Sequence, residues 1–341
     1  MAEWAHYSLP NDEWTEALAA IGGSLPPLFK NTDITTRREM INELTRKRVE
    51  SADKETLNGI TVEEKRIPVF KPEGEIPVRI YTPDSQNPEE TFPALIDLHG
   101  GGYCLGSLDT DEVKCRSACQ THRIVVVNVD YRLAPEFPWP VGINDSYDAV
   151  KWVVNHAKEL RVDLKKGLIV NGLSAGAMFA CVITQRARVD DDLKGKITGQ
   201  ILQIPPTCRP GPDGYPEKFK NKLLSFEQNK DDPILSRENR KMFSEAYNDK
   251  PASHVEVSPL LAESFAGLPT AYIQVAGGDP LRDDGLCYAQ RLEEDGVSVK
   301  LDVYPGVPHG FANYFPQLKI SQKWRDDFDQ GLRWLLQSTA A

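Results

Sequence analysis

Gly167-Leu168-Ile169-Val170-Asn171-Gly172-Leu173-Ser174-Ala175-Gly176-Ala177 carries the chain from one kind of pattern into another. An apolar run of strand type passes without a spacer into a helix-type run ending near Arg188. Ser174 stands at the junction, with Gly172 and Gly176 two residues to either side. A sharp strand-to-helix turn brings the backbone close to itself, so residues at those flanks must be small. The same turn presents a serine Oγ at a helix N-terminus, where the dipole favours developing negative charge. A small polar residue that merely caps a helix would fit the stretch as well. Taken alone, the segment allows both readings.

Working outward, short apolar runs recur from about residue 60 onward: 60–70, 76–82, 92–98, 123–130, 167–172, 197–204, 270–276 and 297–304. Helical patterns lie between the later ones, near 109–121, 143–159, 175–188, 282–295 and 319–337. Runs such as Ile124-Val125-Val126-Val127 are apolar on both faces, as strands of a covered parallel sheet are. Strand–helix alternation of this kind predicts a doubly wound α/β sheet. The first strands follow one another without helices, so that edge is expected to be antiparallel.

Two regions depart from the alternation. Residues 12–22 and 33–50 read as helices, the second capped by Asp33 and carrying Met40, Ile41 and Leu44 on one side. The connection after Ile204-Pro205-Pro206 is far longer than such folds need and carries Tyr215, Phe219, Phe226, Met242, Phe243 and Tyr247. Both regions are expected to form a cap over one end of the sheet. The division is residues 1–55 for the N-terminal part of the cap and 56–207 for the first part of the core. Residues 208–257 form the cap insertion and 258–341 the second part of the core. For any single one of those aromatics, burial inside the cap is the simpler expectation than a place in a pocket.

A net charge of −10 argues against a nucleic-acid partner, because phosphate binding needs a basic face. The first thirty residues have neither the basic start nor the apolar core of a secretory signal. No stretch approaches the about 18 consecutive apolar residues of a membrane span. Six cysteines are too sparse for a disulfide scaffold, and Cys115 and Cys119 have no partner at metal-site spacing. Free thiols, no metal, no cofactor and a cytoplasmic location are the expectations. The oligomeric state stays open, a homodimer included.

Three further motifs bear on Ser174, each at the carboxyl end of an expected strand. His99-Gly100-Gly101-Gly102 follows residues 92–98, and its glycines leave peptide N–H groups unshielded. Such donors can converge on an oxyanion, each contributing about 2.7–4 kcal/mol to the barrier. A phosphate cradle would need a Gly-Lys-Ser/Thr ending or a glycine fingerprint opening into a helix, and neither is present. His99 is expected to fix the loop through a structural hydrogen bond, with Gly100 beside it.

Asp279-Pro280 follows residues 270–276 and suits a helix start, with Asp283 and Asp284 in its first turn. It suits equally a carboxylate that orients a histidine. His309 lies in the proline- and glycine-rich loop after the final strand, at the sheet end where open α/β folds place their sites. The order Ser174, Asp279, His309 is that of an α/β-hydrolase sheet. In this reading His309 takes the Ser174 proton, Asp279 holds the imidazole, and Gly101, Gly102 and the Ala175 N–H bind the oxyanion.

These segments, with Tyr131-Arg132-Leu133-Ala134-Pro135-Glu136 and His309-Gly310-Phe311, resemble the hormone-sensitive-lipase-like esterases, the α/β-hydrolases with an H-G-G-G motif. The likeness covers roughly residues 60–337. It implies an α/β-hydrolase fold with a mainly parallel eight-stranded sheet and a mostly helical cap. It also implies a serine carboxylesterase with Ser174, Asp279 and His309 as triad. Leu173 departs from the acid that the family often has before its serine, and Ala177 from a glycine; neither is a triad position. The expected substrate is a small to medium, fairly apolar ester, entering past cap aromatics rather than charges. Amide or lactone hydrolysis, or elimination of a carboxylate, would use the same scaffold. Gibberellin receptors resemble this family but lack the catalytic histidine that a general base requires, and His309 is present here.

Overall fold

Each apolar run becomes a strand in the computed structural model, which describes residues 3–25, 32–51, 58–210, 213–247 and 250–340. Ile60–Phe70 (β1) and Glu73–Pro83 (β2) pair antiparallel, from Ile60 opposite Pro83 to Phe70 opposite Glu73. A connection of only Lys71 and Pro72 cannot cross over to a parallel partner, so the hairpin is forced. Then come Ala94–Leu98 (β3), Val125–Val129 (β4), Leu168–Leu173 (β5), Gly199–Gln203 (β6), Thr270–Ala276 (β7) and Val299–Tyr304 (β8). They form one eight-stranded sheet ordered β1-β2-β4-β3-β5-β6-β7-β8. Pairing is antiparallel as far as β4 and parallel from there to β8.

The helices are Asp12–Ala20 (α1), Ile34–Ser51 (α2), Glu112–His122 (α3), Val141–Asn155 (α4) and Ala175–Ala187 (α5). Ser225–Gln228 (α6), Arg237–Tyr247 (α7), Arg282–Glu294 (α8) and Lys319–Ala340 (α9) complete the set. α4, α5 and α8 cover one face of the sheet, while α3 and α9 cover the other. Successive strand residues serve opposite cores. Ile96, Val127 and Val170 point to the first, and Leu95, Val126 and Ile169 to the second. That is why the central strands are apolar on both faces.

Strand order reverses between β3 and β5, since the chain leaves β3 for β4 on one side and returns to β5 on the other. A crevice outside the carboxyl ends is the usual result of such a reversal. The glycine loop leaves β3 there, and Ser174 leaves β5.

Boundaries shift where side chains intervene. Residues 109–111 stay outside α3, because the chain first closes a turn in which Thr110 N–H donates to Ser107 O at 3.0 Å. α4 ends at Asn155, and the His156 ring donates from Nδ1 back to Trp152 O, 2.8 Å away. The larger correction concerns α2. Leu44 is exposed, whereas Arg37 and Thr45 are buried. Guanidinium bonds, not an apolar face, hold this helix. Arg38 donates to both carboxylate oxygens of Glu136 at 2.8 Å, and to Cys104 O and Ala134 O at 2.7 Å. Arg37 donates to Asn239 Oδ1 at 3.1 Å and so ties α2 to α7. Of the expected domain limits, the one at residues 55/56 lies outside the described residues. Among the described residues no helix is long and apolar enough to cross a membrane.

Candidate active site

Ser174 joins β5 to α5 with φ 53° and ψ −113°, a backbone state that L residues rarely adopt. Two backbone bonds hold it. Its N–H donates to Gln203 O at 2.8 Å, and its carbonyl accepts the Met178 N–H at 3.1 Å. The flanks have no room for a side chain. A Cβ on Gly172 would lie 2.2 Å from the Gly176 carbonyl, and one on Gly176 would lie 2.0 Å from Leu98 O. Hence α5 packs directly on the ends of β3 and β5, and the serine is pushed outward.

His309 reaches that serine from the loop after β8. Its Nε2 lies 2.9 Å from Ser174 Oγ, and its Nδ1 lies 2.6 Å from Asp279 Oδ2. The short contact to a carboxylate places the ring proton on Nδ1, so Nε2 is left to accept from the hydroxyl. Asp279 is fully buried, and its Oδ1 accepts the Leu281 N–H at 2.8 Å. Asp279 does not cap α8, which begins at Arg282 after Leu281 with no side-chain cap; its Oδ1 closes the turn before the helix while its Oδ2 meets the imidazole.

The glycine loop lies against this group. Gly101 and Gly102 have φ of 127° and 59°. Neither N–H donates to a backbone carbonyl among the described residues, whereas Cys104 and Leu105 N–H close on Gly101 O at 3.1 and 2.9 Å. His99 is fully buried, and its Nδ1 donates to Gly100 O at 2.8 Å. The imidazole stacks on Tyr131 at 4.2 Å, and the Tyr131 hydroxyl donates to His99 O at 2.7 Å. Ala134 N–H donates to Tyr103 O at 3.0 Å, and Asp145 holds the Arg132 guanidinium at 2.7 and 2.9 Å. The segment 131–136 thus braces the loop from below.

Comparison with known proteins bears on the fold and the family. A family model described as the alpha/beta hydrolase fold matches residues 95–313. The chain is 38% identical over 247 residues to Esterase LipI of Mycobacterium tuberculosis, covering 71% of this chain and 73% of that protein. This chain is an α/β-hydrolase of the hormone-sensitive-lipase-like family. The hydrolase is also 34% identical over 246 residues to versiconal hemiacetal acetate esterase of Dothistroma septosporum, covering 72% of this chain and 74% of that one. The solved structure of vibralactone cyclase superposes with a TM-score of 0.90 at 32% identity, covering 98% of this chain and 97% of that chain.

Two chambers open on Ser174 in this hydrolase. The larger, about 380 Å³, includes His309, Gly101, Ile41 and Leu44 in its walls. The smaller, about 90 Å³, includes Ala175, Tyr103, Met178 and Tyr247. Gly102 and Phe243 border both. A further groove of about 460 Å³ lies beyond Leu173, which lines it and the larger chamber alike. The expectation of aromatics rather than charges at the entrance is corrected. Arg37 and Arg48 line the larger chamber, and Arg209 and Arg240 the smaller. These cations are held by backbone, amide and ring partners, as where Arg37 donates to Asn239 Oδ1 and Arg240 lies 4.4 Å over the Phe226 ring. Of the insertion's aromatics, Phe219 and Tyr247 are buried, while Phe243 covers the glycine loop. A Cβ on Gly102 would meet that ring at 2.6 Å.

Several working residues of the hydrolase escaped the sequence reading. Asp232 is buried, and its Oδ2 accepts the His309 N–H at 2.9 Å. Its Oδ1 accepts the Ile234 and Leu235 N–H groups at 2.8 and 2.7 Å. Burial, then the nearby Asp279 charge, pushes the Asp232 carboxyl up to about 6. The available signal was Asp232-Pro233, an aspartate placed to bond its own following backbone. Asp283 and Asp284 do stand in the first turn of α8, but they act on distant backbone. Asp283 accepts from Leu224 and Ser225 N–H at 2.8 and 2.6 Å, and Asp284 from Thr207 and Cys208 at 3.1 and 3.2 Å. Among the described residues no group of three or more His, Cys, Asp or Glu is placed to hold a metal ion. All six cysteines are buried and free.

Proposed function

We propose that this hydrolase cleaves small to medium, fairly apolar carboxylic esters through an acyl-Ser174 intermediate. The observation that carries the reading is the unbroken chain Ser174 Oγ, His309 Nε2, His309 Nδ1, Asp279 Oδ2, at 2.9 and 2.6 Å, on a strained elbow. His309 removes the serine proton as Oγ attacks the ester carbonyl, then returns it to the departing alcohol. Asp279 keeps the imidazole in the required tautomer and stabilises its cationic form. The N–H groups of Gly101, Gly102 and Ala175 form the oxyanion hole, positioned by His99 and Gly100. Water then repeats the attack on the acyl-enzyme.

The cap of this reading consists of residues 1–55 and 208–257 over a core of 56–207 and 258–341. Support comes from α2 and α7, both of which line the larger chamber. The partner of this reading is a small-molecule ester, and six free thiols support the cytoplasm as its location.

A fluorophosphonate should label the protein once, and Ser174→Ala should abolish both labelling and ester turnover. Labelling that persists in the variant would remove Ser174 from the role. The likeness to a cyclase favours a second acceptor on the same intermediate, a hydroxyl in place of water. Chromatography of products from a hydroxy-ester substrate separates the two, since water gives a free acid and an internal hydroxyl gives a lactone.

A further inference from the structure

The two chambers beside Ser174 are chemically distinguishable. In ester cleavage the leaving oxygen must take its proton from His309 Nε2, so the alcohol lies on the His309 side. His309 lines the chamber of about 380 Å³ and not that of about 90 Å³. The proposed oxyanion donors straddle the two, with Gly101 lining only the large chamber, Ala175 only the small one and Gly102 both, so the side taken by His309 decides. The acyl chain therefore runs into the small chamber. This assignment rests on the acyl-enzyme reading above.

Size and polarity then narrow the acyl group. The small chamber's 90 Å³ equals the liquid volume of about three waters, enough for a short chain and no more. Its walls hold donors without partners. Tyr247 is 3% exposed, and its hydroxyl bonds to nothing among the described residues. Arg240 Nη1 is buried and equally unbonded. Arg209 adds a second guanidinium to the same walls, with its Nη1 donating to Lys250 O at 2.9 Å. Phe226 stacks beneath the Arg240 guanidinium and fixes its plane. Asp284 does not neutralise this site in full. Its oxygens are taken by Thr207, Cys208 N–H and Cys208 Sγ, and burial pushes its carboxyl up to about 7. Buried donors of this kind destabilise the site until an acceptor meets them.

We infer that the small chamber binds a short acyl group ending in a carboxylate, so that the apolar character of the substrate belongs to its alcohol half and the preferred esters are monoesters of four-carbon-size dicarboxylic acids with a bulky apolar alcohol. The guanidinium of Arg240 and the hydroxyl of Tyr247 receive the distal carboxylate. Oγ of Ser174 bonds to the ester carbon, the carbon–oxygen bond to the alcohol breaks, and the serine proton passes through His309 to that alcohol. Water then supplies hydroxide to the acyl carbon, its other proton restores Ser174, and the dicarboxylate leaves.

The test uses one alcohol and four acids: the 2-naphthylmethyl esters of acetic, 4-methylpentanoic, 4-oxopentanoic and succinic acid, the last as the hydrogen succinate. 4-Methylpentanoyl matches succinyl in shape and lacks its charge. kcat/KM for the hydrogen succinate should exceed that for 4-methylpentanoate by about 10-fold or more, with 4-oxopentanoate between, as a charge-assisted bond implies. That ratio should fall about 10-fold or more in Arg240→Leu and about 3-fold in Tyr247→Phe, and recover in Arg240→Lys. A wild-type enzyme that takes 4-methylpentanoate as fast as the hydrogen succinate overturns the inference, as does an unchanged ratio in Arg240→Leu. The wild-type ratio decides even if a variant fails to fold. Turnover of the acetate separates the two levels of failure. Acetate cleaved without discrimination sinks only this inference, whereas no ester cleaved and no fluorophosphonate label sinks the acyl-enzyme itself.

Discussion

Two strand-to-helix turns meet at the candidate site, and they are held by different means. The turn at Ser174 is closed chiefly from within, by Gly172 against the Gly176 carbonyl and by the Met178 N–H on the Ser174 carbonyl, and it rests on the adjacent strands at Leu98 and Gln203. The turn at Asp279 has one bond of its own, from Leu281 N–H, and its other ties come from afar. Asn229 donates to Asp279 O at 2.9 Å, and Asp232 holds the His309 N–H. From the N-terminal segment, Ser8 pairs with Arg282 Nη1, and Tyr7 O accepts the Gly306 N–H at 2.8 Å. A locally closed turn can be recognised from a few residues. A turn closed by distant segments cannot, because nothing in its own sequence says what will hold it.

Substitutions can break or sharpen that contrast. The largest loss is expected at the shared hydrogen-bond chain, where Asp279→Asn or His309→Ala should each lower kcat for a nitrophenyl ester by about 10⁴-fold. Near-normal turnover in either would move the acid or the base elsewhere. Next comes Gly176→Ala, whose Cβ would sit 2.0 Å from Leu98 O. Chemical denaturation should show about 4 kcal/mol or more of lost stability, or no soluble protein at all. A variant of wild-type stability would mean that the elbow does not rest on backbone at Leu98.

Asp232→Ala should be milder, costing about 1–3 kcal/mol for the orphaned N–H groups and about 10- to 100-fold in kcat as His309 drifts. Asp232→Asn keeps an acceptor and should recover part of both losses. Equal damage from the two substitutions would point to the charge of Asp232 rather than its hydrogen bonds. The smallest effect concerns pH. Burial pushes Asp284 up to about 7, against about 3.9 in an unfolded chain. Between those values the folded protein keeps a proton that the unfolded chain has lost, so stability declines as pH rises across that window. Asp284→Asn lacks this decline, and its melting temperature should gain several degrees on wild type between pH 5 and pH 8.

The same contrast explains what could be read in advance. The β1–β8 sheet was legible because period-two and two-faced apolar runs are imposed by the sheet itself, and ends moved by only a few residues. The glycine loop, Ser174, Asp279 and His309 could be singled out because each follows a strand, and strand ends point to one rim. Asp232 and Arg240 lie in an insertion with no sheet period, and the contact that brings Asp232 into the site, to His309, is 77 residues away in sequence. α2 misled for another reason. Arginine side chains do its packing, so the stripe of Met40, Ile41 and Leu44 did not mark the buried face. Leu173 was noticed as odd, but only the fold reveals that it lines both the large chamber and the outer groove.

Phe243 closes on Gly102 and borders both chambers at Ser174. For anyone redesigning the enzyme, that ring is a movable wall. Larger residues are barred from 102 twice over, by that ring and by a φ of 59°, so the variable partner of the pair is Phe243. Trimming Phe243 to alanine would merge two rooms into one, and with them the distinction between the acid half and the alcohol half of an ester.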